Sequence, residues 1–403
     1  MTEMRTLVVG GSFTEFDGKP FVSERCWRMV RIFGDQLADP VYARRRVASD
    51  DRKFFSTPFP NPELLFASNP TPWRAPWELV APDQCWHRRW YERLLENVDA
   101  VYVRIPSSSW VGLHLYDMAV ERNKLVFASL HGDWPETYRH VAAEAGFPNR
   151  QIYQRSARLA DEAVARIART ARVLFCVGDT LVEKFGGGAQ VAVSFANYLH
   201  GEDDLFVRSD TCTDPPYRII FVGELSRRKG VTHLIAAAGK LQASGIPVVL
   251  SLVGKGDERE SLVRQAEVLG LKENLELHEY VPFGPELFGL YREADLFVLP
   301  SVAGEGLPKV TVEAMSQGLP VVATDIGSTA SILEKSGGGI TVPPGSDVDL
   351  AAALRRIIED GEFRRCLIRK GLDFARRMTN DHQRRLVTEA LRQYVPEAVS
   401  PKH

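Results

Sequence analysis

Apolar and amphipathic stretches alternate along most of this chain. Compact apolar runs such as Ala100–Ile105, Leu125–Leu130 and Leu296–Leu299 predict strands that are buried on both faces, as in a parallel sheet. Between such runs the apolar residues recur at helical spacing, for example across Ile152–Ala168 and Asp347–Glu359. This alternation of strand and helix predicts an α/β fold built from doubly wound parallel sheets with right-handed crossovers.

Two stretches interrupt the alternation. Residues His200 to Pro216 carry charges, threonines and a Pro-Pro pair without an apolar period, so we interpret them as a linker between two sheets. The proline-rich stretch Phe55–Asp83 also lacks periodicity, which predicts a long surface loop. A chain of 403 residues is long for one hydrophobic core and sufficient for two domains.

Composition narrows the class of protein. The net charge is −2, which gives no indication of a nucleic-acid partner. The five cysteines are scattered and form no Cys-x-x-Cys pair, so we expect reduced thiols and not a disulfide framework or a zinc site. No apolar run is long enough to span a bilayer. These features predict a cytoplasmic enzyme.

The tryptophans are concentrated in the first third of the chain. Trp86, Trp90 and Leu94 recur at helical spacing, with arginines on the other faces. Three interpretations stay open for this helix. It packs on the sheet, it docks peripherally on the inner membrane surface, or it binds an acceptor through exposed rings.

The most informative stretch runs from Leu296 to Asp325. It predicts a buried strand, a glycine loop, a helix with Pro308 at its first position and Gly318 just past its end, and a second strand, Val321–Ala323. The loop therefore delivers its backbone to a helix N-terminus at the carboxyl end of a parallel strand, where α/β sheets bind ligands. Free N–H groups and the positive end of the helix dipole favour an anion there, typically phosphate.

Two glutamates stand at different depths of the same stretch. Glu305 precedes the helix, and Glu313 lies more than one turn inside it. Because carboxylates repel phosphate, both are better placed on neutral hydroxyl groups at the two ends of the ligand. A diphosphate that joins two sugars fits this arrangement.

This stretch resembles the signature of the retaining glycosyltransferases of family 4, which have the GT-B architecture. The matching residues are Glu305-Gly306-Leu307-Pro308, then Glu313-Ala314-Met315, then Gly318 to Thr324. The resemblance implies two Rossmann-like domains that face a central cleft. Residues 1–205 plus 380–403 would form the acceptor domain with a crossover helix, and residues 206–379 would form the nucleotide-sugar domain. It also implies that Glu305 contacts the donor sugar and that Glu313 contacts the ribose.

A second loop, Gly223 to Gly230, carries a similar family signature. The resemblance implies that Lys229 neutralises the donor diphosphate as its bond to the sugar breaks. Glu224 departs from the family pattern, which has an arginine there, so we expect Glu224 to point away or to pair with Arg227 or Arg228. Arg228 is a candidate substitute for the missing arginine.

The resemblance implies further donor contacts. Backbone groups at Tyr280 and Val281, which end the predicted strand Leu275–Val281, would hold the nucleotide base. We interpret Gly18 as part of a strand-to-helix loop that closes over the donor phosphates, after a first strand, Thr6–Val9, that ends in Gly10-Gly11-Ser12. The full set of predicted donor-binding residues is Gly18, Gly223, Arg228, Lys229, Gly254, Tyr280, Val281, Glu305, Gly306, Leu307, Pro308, Lys309 and Glu313.

The first half contributes one catalytic candidate. His131 follows the predicted strand Leu125–Leu130, where a side chain faces the ligand crevice, and the resemblance implies that it touches the donor sugar near its reacting carbon. Asp133, Trp134 and Arg104 are acceptor candidates. The predicted catalytic set is therefore His131, Glu305 and Lys229.

The resemblance implies a retaining transfer of a hexose or N-acetylhexosamine to a hydroxyl of a saccharide, glycolipid or small natural product. We expect a UDP-sugar as the donor, with a GDP-sugar as the alternative. No Asp/His motif for a metal appears, so we expect no metal and no other cofactor. Two alternatives remain, a nucleotide-sugar 2-epimerase of the same architecture and a catalytically silent sugar-nucleotide binding protein.

Overall fold

The computed structural model describes residues 4–16, 19–22, 32–46, 57–58, 64–67, 88–105, 111–303 and 307–400. The chain divides into two compact units, Met1–Asn197 with Asp381–His403, and Tyr198–Asn380. Among the described residues, no helix is both long enough and apolar enough to cross a membrane.

The first unit is built on a largely parallel sheet. Its parallel strands lie in the order β5-β3-β1-β6-β7-β8-β9, and β2 and β4 continue from β1 in antiparallel pairing. The strands are β1 Arg5–Phe16, β2 Lys19–Val22, β3 Asp39–Arg46, β4 Thr57–Pro58, β5 Leu64–Ala67, β6 Ala100–Ile105, β7 Leu125–Leu130, β8 Leu174–Val177 and β9 Ala192–Phe195.

The start of this unit differs from the prediction. The first strand does not end at Gly10-Gly11-Ser12, because it continues to Phe16 and pairs antiparallel with β2, with Phe16 opposite Lys19. Strand β2 therefore lies within the stretch that the sequence predicted to be a loop between a strand and a helix. Gly18 itself lies outside the described residues. The predicted long loop Phe55–Asp83 also contains β4 and β5, which pair with β2 and β3.

The described helices of the first unit lie between its strands along the chain, and a last helix returns to this unit after the second one. They are α1 Arg88–Glu96, α2 Val111–Glu121, α3 Trp134–Glu144, α4 Asn149–Thr170, α5 Asp179–Phe185 and α13 Asn380–Tyr394. The last helix docks through specific polar contacts. Thr388 Oγ1 donates to Gln36 Oε1 at 2.6 Å, and Ala196 N donates to Gln383 Oε1 at 2.7 Å.

The second unit contains a six-stranded, fully parallel sheet in the order β12-β11-β10-β13-β14-β15. Its interior strands β13 and β14 are buried along their whole length, which explains their uninterrupted apolar sequence. The strands are β10 Tyr217–Val222, β11 Val248–Val253, β12 Leu275–His278, β13 Leu296–Leu299, β14 Val321–Thr324 and β15 Gly339–Val342.

Helices alternate with these strands. They are α6 Val231–Ala243, α7 Arg259–Val268, α8 Pro285–Glu293, α9 Lys309–Ser316, α10 Thr329–Ser336, α11 Asp347–Glu359 and α12 Gly361–Arg377. Pro308 is the N-cap of α9 and not its first residue. Gly318, with a φ of +72°, follows the C-cap Gln317, as the sequence predicted.

Part of the segment that the sequence predicted to be a linker is anchored in the second unit. The Arg208 guanidinium donates to the carbonyl oxygens of Gln317 at 2.9 Å and Tyr291 at 3.1 Å, and also to those of Arg292 and Ala294. These carbonyls lie at the C-terminal ends of α8 and α9, where carbonyl oxygens lack the usual N–H donor four residues further on. Burial lowers the pKa of Arg208 to about 10.

Candidate active site

The loops at the carboxyl edge of the second sheet are joined by backbone hydrogen bonds. Gly223 N donates to Val253 O at 2.9 Å, and Leu225 N donates to Lys255 O at 2.8 Å. Gly254 N donates in turn to His278 O at 3.2 Å. The loops that follow β10, β11 and β12 therefore form one connected surface that presents main-chain groups.

Two glycines allow the backbones to approach this closely. A Cβ on Gly254, whose φ is +149°, would lie 1.8 Å from the carbonyl oxygen of Gly223. A Cβ on Gly230, whose φ is +60°, would lie 2.2 Å from the carbonyl oxygen of Pro300. Because atoms that are not bonded to each other cannot approach this closely, both positions require glycine.

The basic segment Arg227–Lys229 forms a 3₁₀ turn between β10 and α6. The Arg228 carbonyl oxygen accepts hydrogen bonds from Val302 N at 2.8 Å and Ala303 N at 3.3 Å. Those two residues belong to the loop after β13, which leads into α9. The structure therefore brings the backbone of the basic turn against the loop that the sequence singled out.

Glu224 pairs with Arg228, as one of the sequence expectations stated. Its Oε2 lies 2.8 Å from Arg228 Nη2 and 3.2 Å from Ser226 Oγ. The hydrogen bond from Arg228 holds the pKa of Glu224 below its ordinary value, so the side chain is a carboxylate at neutral pH. The positive charge of Arg228 is therefore paired with the Glu224 carboxylate.

Helix α9 begins directly after Pro308 and carries Glu313 in its second turn. Glu313 is only 5% exposed. Burial raises the pKa of both Tyr198 and Tyr291, and the negative charge of Glu313 raises these pKa values further. The Glu313 side chain is therefore buried, and two neutral phenol groups lie within reach of its charge. Glu305 and Gly306 lie outside the described residues, while Leu307 and Lys309 are half-buried.

The predicted base-binding residues lie beyond the end of β12. This edge strand ends at His278 and not at Val281, because the neighbouring strand β11 ends at Val253, opposite His278. Tyr280 and Val281 are therefore loop residues, and Tyr280 is 50% exposed.

The first unit places its predicted residues at the carboxyl edge of its own sheet. His131 follows β7, and its Nε2 lies 2.9 Å from Ser129 Oγ, while its Nδ1 lies 3.1 Å from Asn197 Nδ2. Arg104 lies on the neighbouring strand β6, in register with Ser129.

Asp133 and Trp134 begin helix α3. Asp133 Oδ1 accepts a hydrogen bond from Glu136 N at 3.1 Å, which caps the helix, and Oδ2 pairs with Lys184. The Trp134 ring lies 6.0 Å from the Tyr138 ring. Both residues thus have local structural partners, and their acceptor role stays a prediction.

Sequence reasoning did not identify Tyr198, Tyr291 or Asn197. Tyr198 and Asn197 lie at the end of β9, where the chain leaves the first sheet, and no motif marked them. Within the described ranges, no three His, Cys, Asp or Glu side chains are grouped as metal ligands would be.

Residues 207–373 match the family model of the glycosyl transferases group 1. An uncharacterized glycosyltransferase of Methanocaldococcus jannaschii is 34% identical over 164 residues, which make up 40% of this chain and 41% of the relative. The alpha-D-kanosaminyltransferase of Streptomyces kanamyceticus is 30% identical over 151 residues, or 36% of this chain and 37% of the relative. The chain therefore spans about two fifths of the length of these curated relatives.

The whole chain is also similar to solved structures. Anabaena HepE in complex with UDP matches with a TM-score of 0.66 and 18% identity, over 97% of this chain and 100% of that one. At this level of identity the likeness shows the fold, which is the two-domain α/β GT-B fold. The segment that matches the model of the glycosyl transferases group 1 contains the connected loop edge, the basic turn and Glu313.

Proposed function

We propose that this protein is a retaining glycosyltransferase that moves a hexose or N-acetylhexosamine from a nucleotide-sugar to an acceptor hydroxyl, with a UDP-sugar as the favoured donor and a GDP-sugar as the alternative. The observation that carries the proposal is the carboxyl edge of the second sheet. There the basic turn with Lys229 is hydrogen-bonded to the loop that leads into α9, and Glu313 is buried in the same helix. Anabaena HepE, which has the same fold, has been solved with UDP and with UDP-glucose.

The proposed chemistry is substitution at the anomeric carbon. The bond from this carbon to the diphosphate oxygen breaks, and the acceptor oxygen bonds to the carbon on the face that the leaving group vacates. The acceptor proton passes to the departing diphosphate, so no strong protein base is needed. The Lys229 ammonium group and the N–H groups at the start of α9 would stabilise the charge that develops on the diphosphate.

The first unit would hold the acceptor, with Arg104, Asp133 and Trp134 as candidate contacts and His131 directed at the donor sugar. We propose a saccharide, glycolipid or small natural product as the acceptor class. We also propose that transfer needs no metal, so a chelator should leave the rate unchanged.

The test has two stages. A thermal-shift screen against UDP- and GDP-sugars should single out a donor, because a ligand that binds only the folded state raises its stability. The purified protein is then incubated with this donor and each member of an acceptor panel. We expect release of nucleoside diphosphate and a product that keeps the donor's anomeric configuration. Inversion would contradict the retaining mechanism. A new nucleotide-sugar formed without any acceptor would indicate an epimerase instead.

A further inference from the structure

Both ring nitrogens of His131 take part in a network of hydrogen-bonded side chains within the first unit. His131 Nε2 lies 2.9 Å from Ser129 Oγ, which lies 2.7 Å from the Tyr102 hydroxyl. On the other side of the ring, Asn197 Nδ2 lies 3.1 Å from His131 Nδ1. Tyr102, Ser129 and Asn197 are all buried, at 4%, 0% and 4% exposed.

The orientation of the Asn197 amide decides the direction of these bonds. Among the described residues, its Oδ1 is buried without a hydrogen-bond partner. Turning the amide over would leave the NH₂ group, with two donors, in that unpaired position. Orphaned buried N–H groups are rarer than under-satisfied carbonyl oxygens, so the orientation with Nδ2 toward His131 is the favoured one. Asn197 therefore donates to His131 Nδ1.

The directions of the other hydrogen bonds in this network follow from the bond that Asn197 donates. Since Nδ1 accepts, the proton of the neutral imidazole resides on Nε2 and is donated to Ser129 Oγ. Tyr102 remains a neutral phenol, because burial raises its pKa well above the ordinary value. The Phe195 ring meets the imidazole edge to face at 5.7 Å, which fixes the plane of the ring. A doubly protonated ring would set its Nδ1–H against the amide N–H of Asn197.

We propose that Asn197, together with Ser129 and Tyr102, is a positioning residue that holds His131 as the neutral tautomer protonated on Nε2. The catalytic consequence rests on the proposed function. In that function, His131 acts as an oriented, uncharged ring and does not serve as a proton donor or acceptor in the transfer step. The tautomer itself can be measured without any substrate.

The test uses the full chain labelled with ¹⁵N at histidine. Two-bond ¹H–¹⁵N correlation spectra distinguish protonated from unprotonated ring nitrogens, and the His131→Gln spectrum identifies His131 among the nine histidines. We expect the wild type to show an unprotonated Nδ1 and a protonated Nε2 at neutral pH. In Asn197→Asp, the new carboxylate accepts from the ring, so Nδ1 should become protonated. A wild-type Nδ1 that carries a proton, or an unchanged ring in Asn197→Asp, would overturn the proposal.

A kinetic comparison separates positioning from general stability. Asn197→Asp should lower kcat by about tenfold to a hundredfold, because the ring changes its charge distribution, while KM for the donor stays close to the wild-type value. Asn149→Asp makes the same change at an exposed position of the same unit, at the start of α4, and should alter neither the spectrum nor kcat. Equal kcat for both variants would contradict the catalytic consequence.

The two proposals can fail separately. If the protein transfers no sugar but the His131 spectra behave as expected, then the proposed function is wrong and the positioning network stands. If transfer occurs and the wild-type ring is protonated on Nδ1, then only the network is wrong.

Discussion

The two units present the carboxyl edges of their parallel sheets in different ways. The second unit joins its loops through main-chain bonds, such as those from Gly223 N and Leu225 N, and leaves no room for a Cβ at Gly254. The first unit uses side chains instead, linked from Tyr102 through Ser129 and His131 to Asn197. A main-chain surface suits a diphosphate, whose charge is spread over many oxygens, whereas a side-chain network suits one precisely oriented group. The second edge should therefore be most sensitive to backbone shape and charge, and the first to the exchange of single polar atoms.

Removing the cation of the basic turn should have the largest effect. Lys229→Ala should lower kcat by about 10² to 10³, because it removes positive charge at the leaving diphosphate. The neighbouring Arg227 is the matched control, since its side chain is 92% exposed and lies 3.4 Å from Glu258. Steady-state rates with a saturating donor measure both variants. Similar losses for Lys229→Ala and Arg227→Ala would indicate a general effect of charge and not a specific contact.

Adding one carbon to the main-chain surface should be nearly as damaging. Gly254→Ala should lower the free energy of unfolding by more than about 3 kcal/mol and abolish nucleotide binding, because the Cβ collides with the Gly223 carbonyl oxygen. Gly245→Ala is the control, since its φ is also positive, at +83°, but nothing lies within 4 Å of its added Cβ. It should cost only about 1–2 kcal/mol. Denaturant unfolding compares them, and equal losses would rule out the steric explanation.

Neutralising the buried carboxylate should affect binding more than stability. Glu313→Gln should weaken binding of free UDP by about tenfold to a hundredfold, because hydrogen bonds to a charged acceptor are the stronger ones. Glu334→Gln, on the exposed surface of α10, makes the same change elsewhere in this unit. Isothermal titration with UDP measures both. Unchanged affinity in Glu313→Gln would remove this residue from the proposed ribose contact.

Removing the charge of Glu224, the residue that departs from the family pattern, should have the smallest effect. Glu224→Gln should tighten UDP binding about twofold to fivefold at low salt, since it removes a negative charge close to the basic turn and releases Arg228 from an exposed ion pair. High salt should erase the gain. Glu273→Gln, also exposed and neutralised in the same way, should change nothing. Weaker binding in Glu224→Gln would mean that the ion pair itself shapes the site.

Strands whose boundaries are set by their own sequence were predicted well. The predicted limits of Leu296–Leu299 are confirmed, because four buried apolar residues end at Pro300. Helix α11 also has its predicted limits, Asp347–Glu359, and its N-terminus is capped by Ser346, which accepts from Asp349 N at 3.2 Å. Glu313 lies inside α9, as its position after the loop predicted.

Features that depend on distant parts of the chain could not be predicted locally. Gly10-Gly11 looked like the end of a strand, but pairing with Asp39–Arg46 and Lys19–Val22 extends that strand to Phe16. The strand after Leu275 ends early because its neighbour ends at Val253. Asn197 meets His131 across 66 residues of sequence, and no periodicity or motif links them.

A crystal structure of this protein soaked with UDP tests the central claim most directly. We predict that the diphosphate binds to the N–H groups at the start of α9 with Lys229 Nζ within hydrogen-bonding distance, and that the ribose hydroxyls contact Glu313. A diphosphate bound elsewhere in the molecule, with this edge of the second sheet unoccupied, would contradict the account.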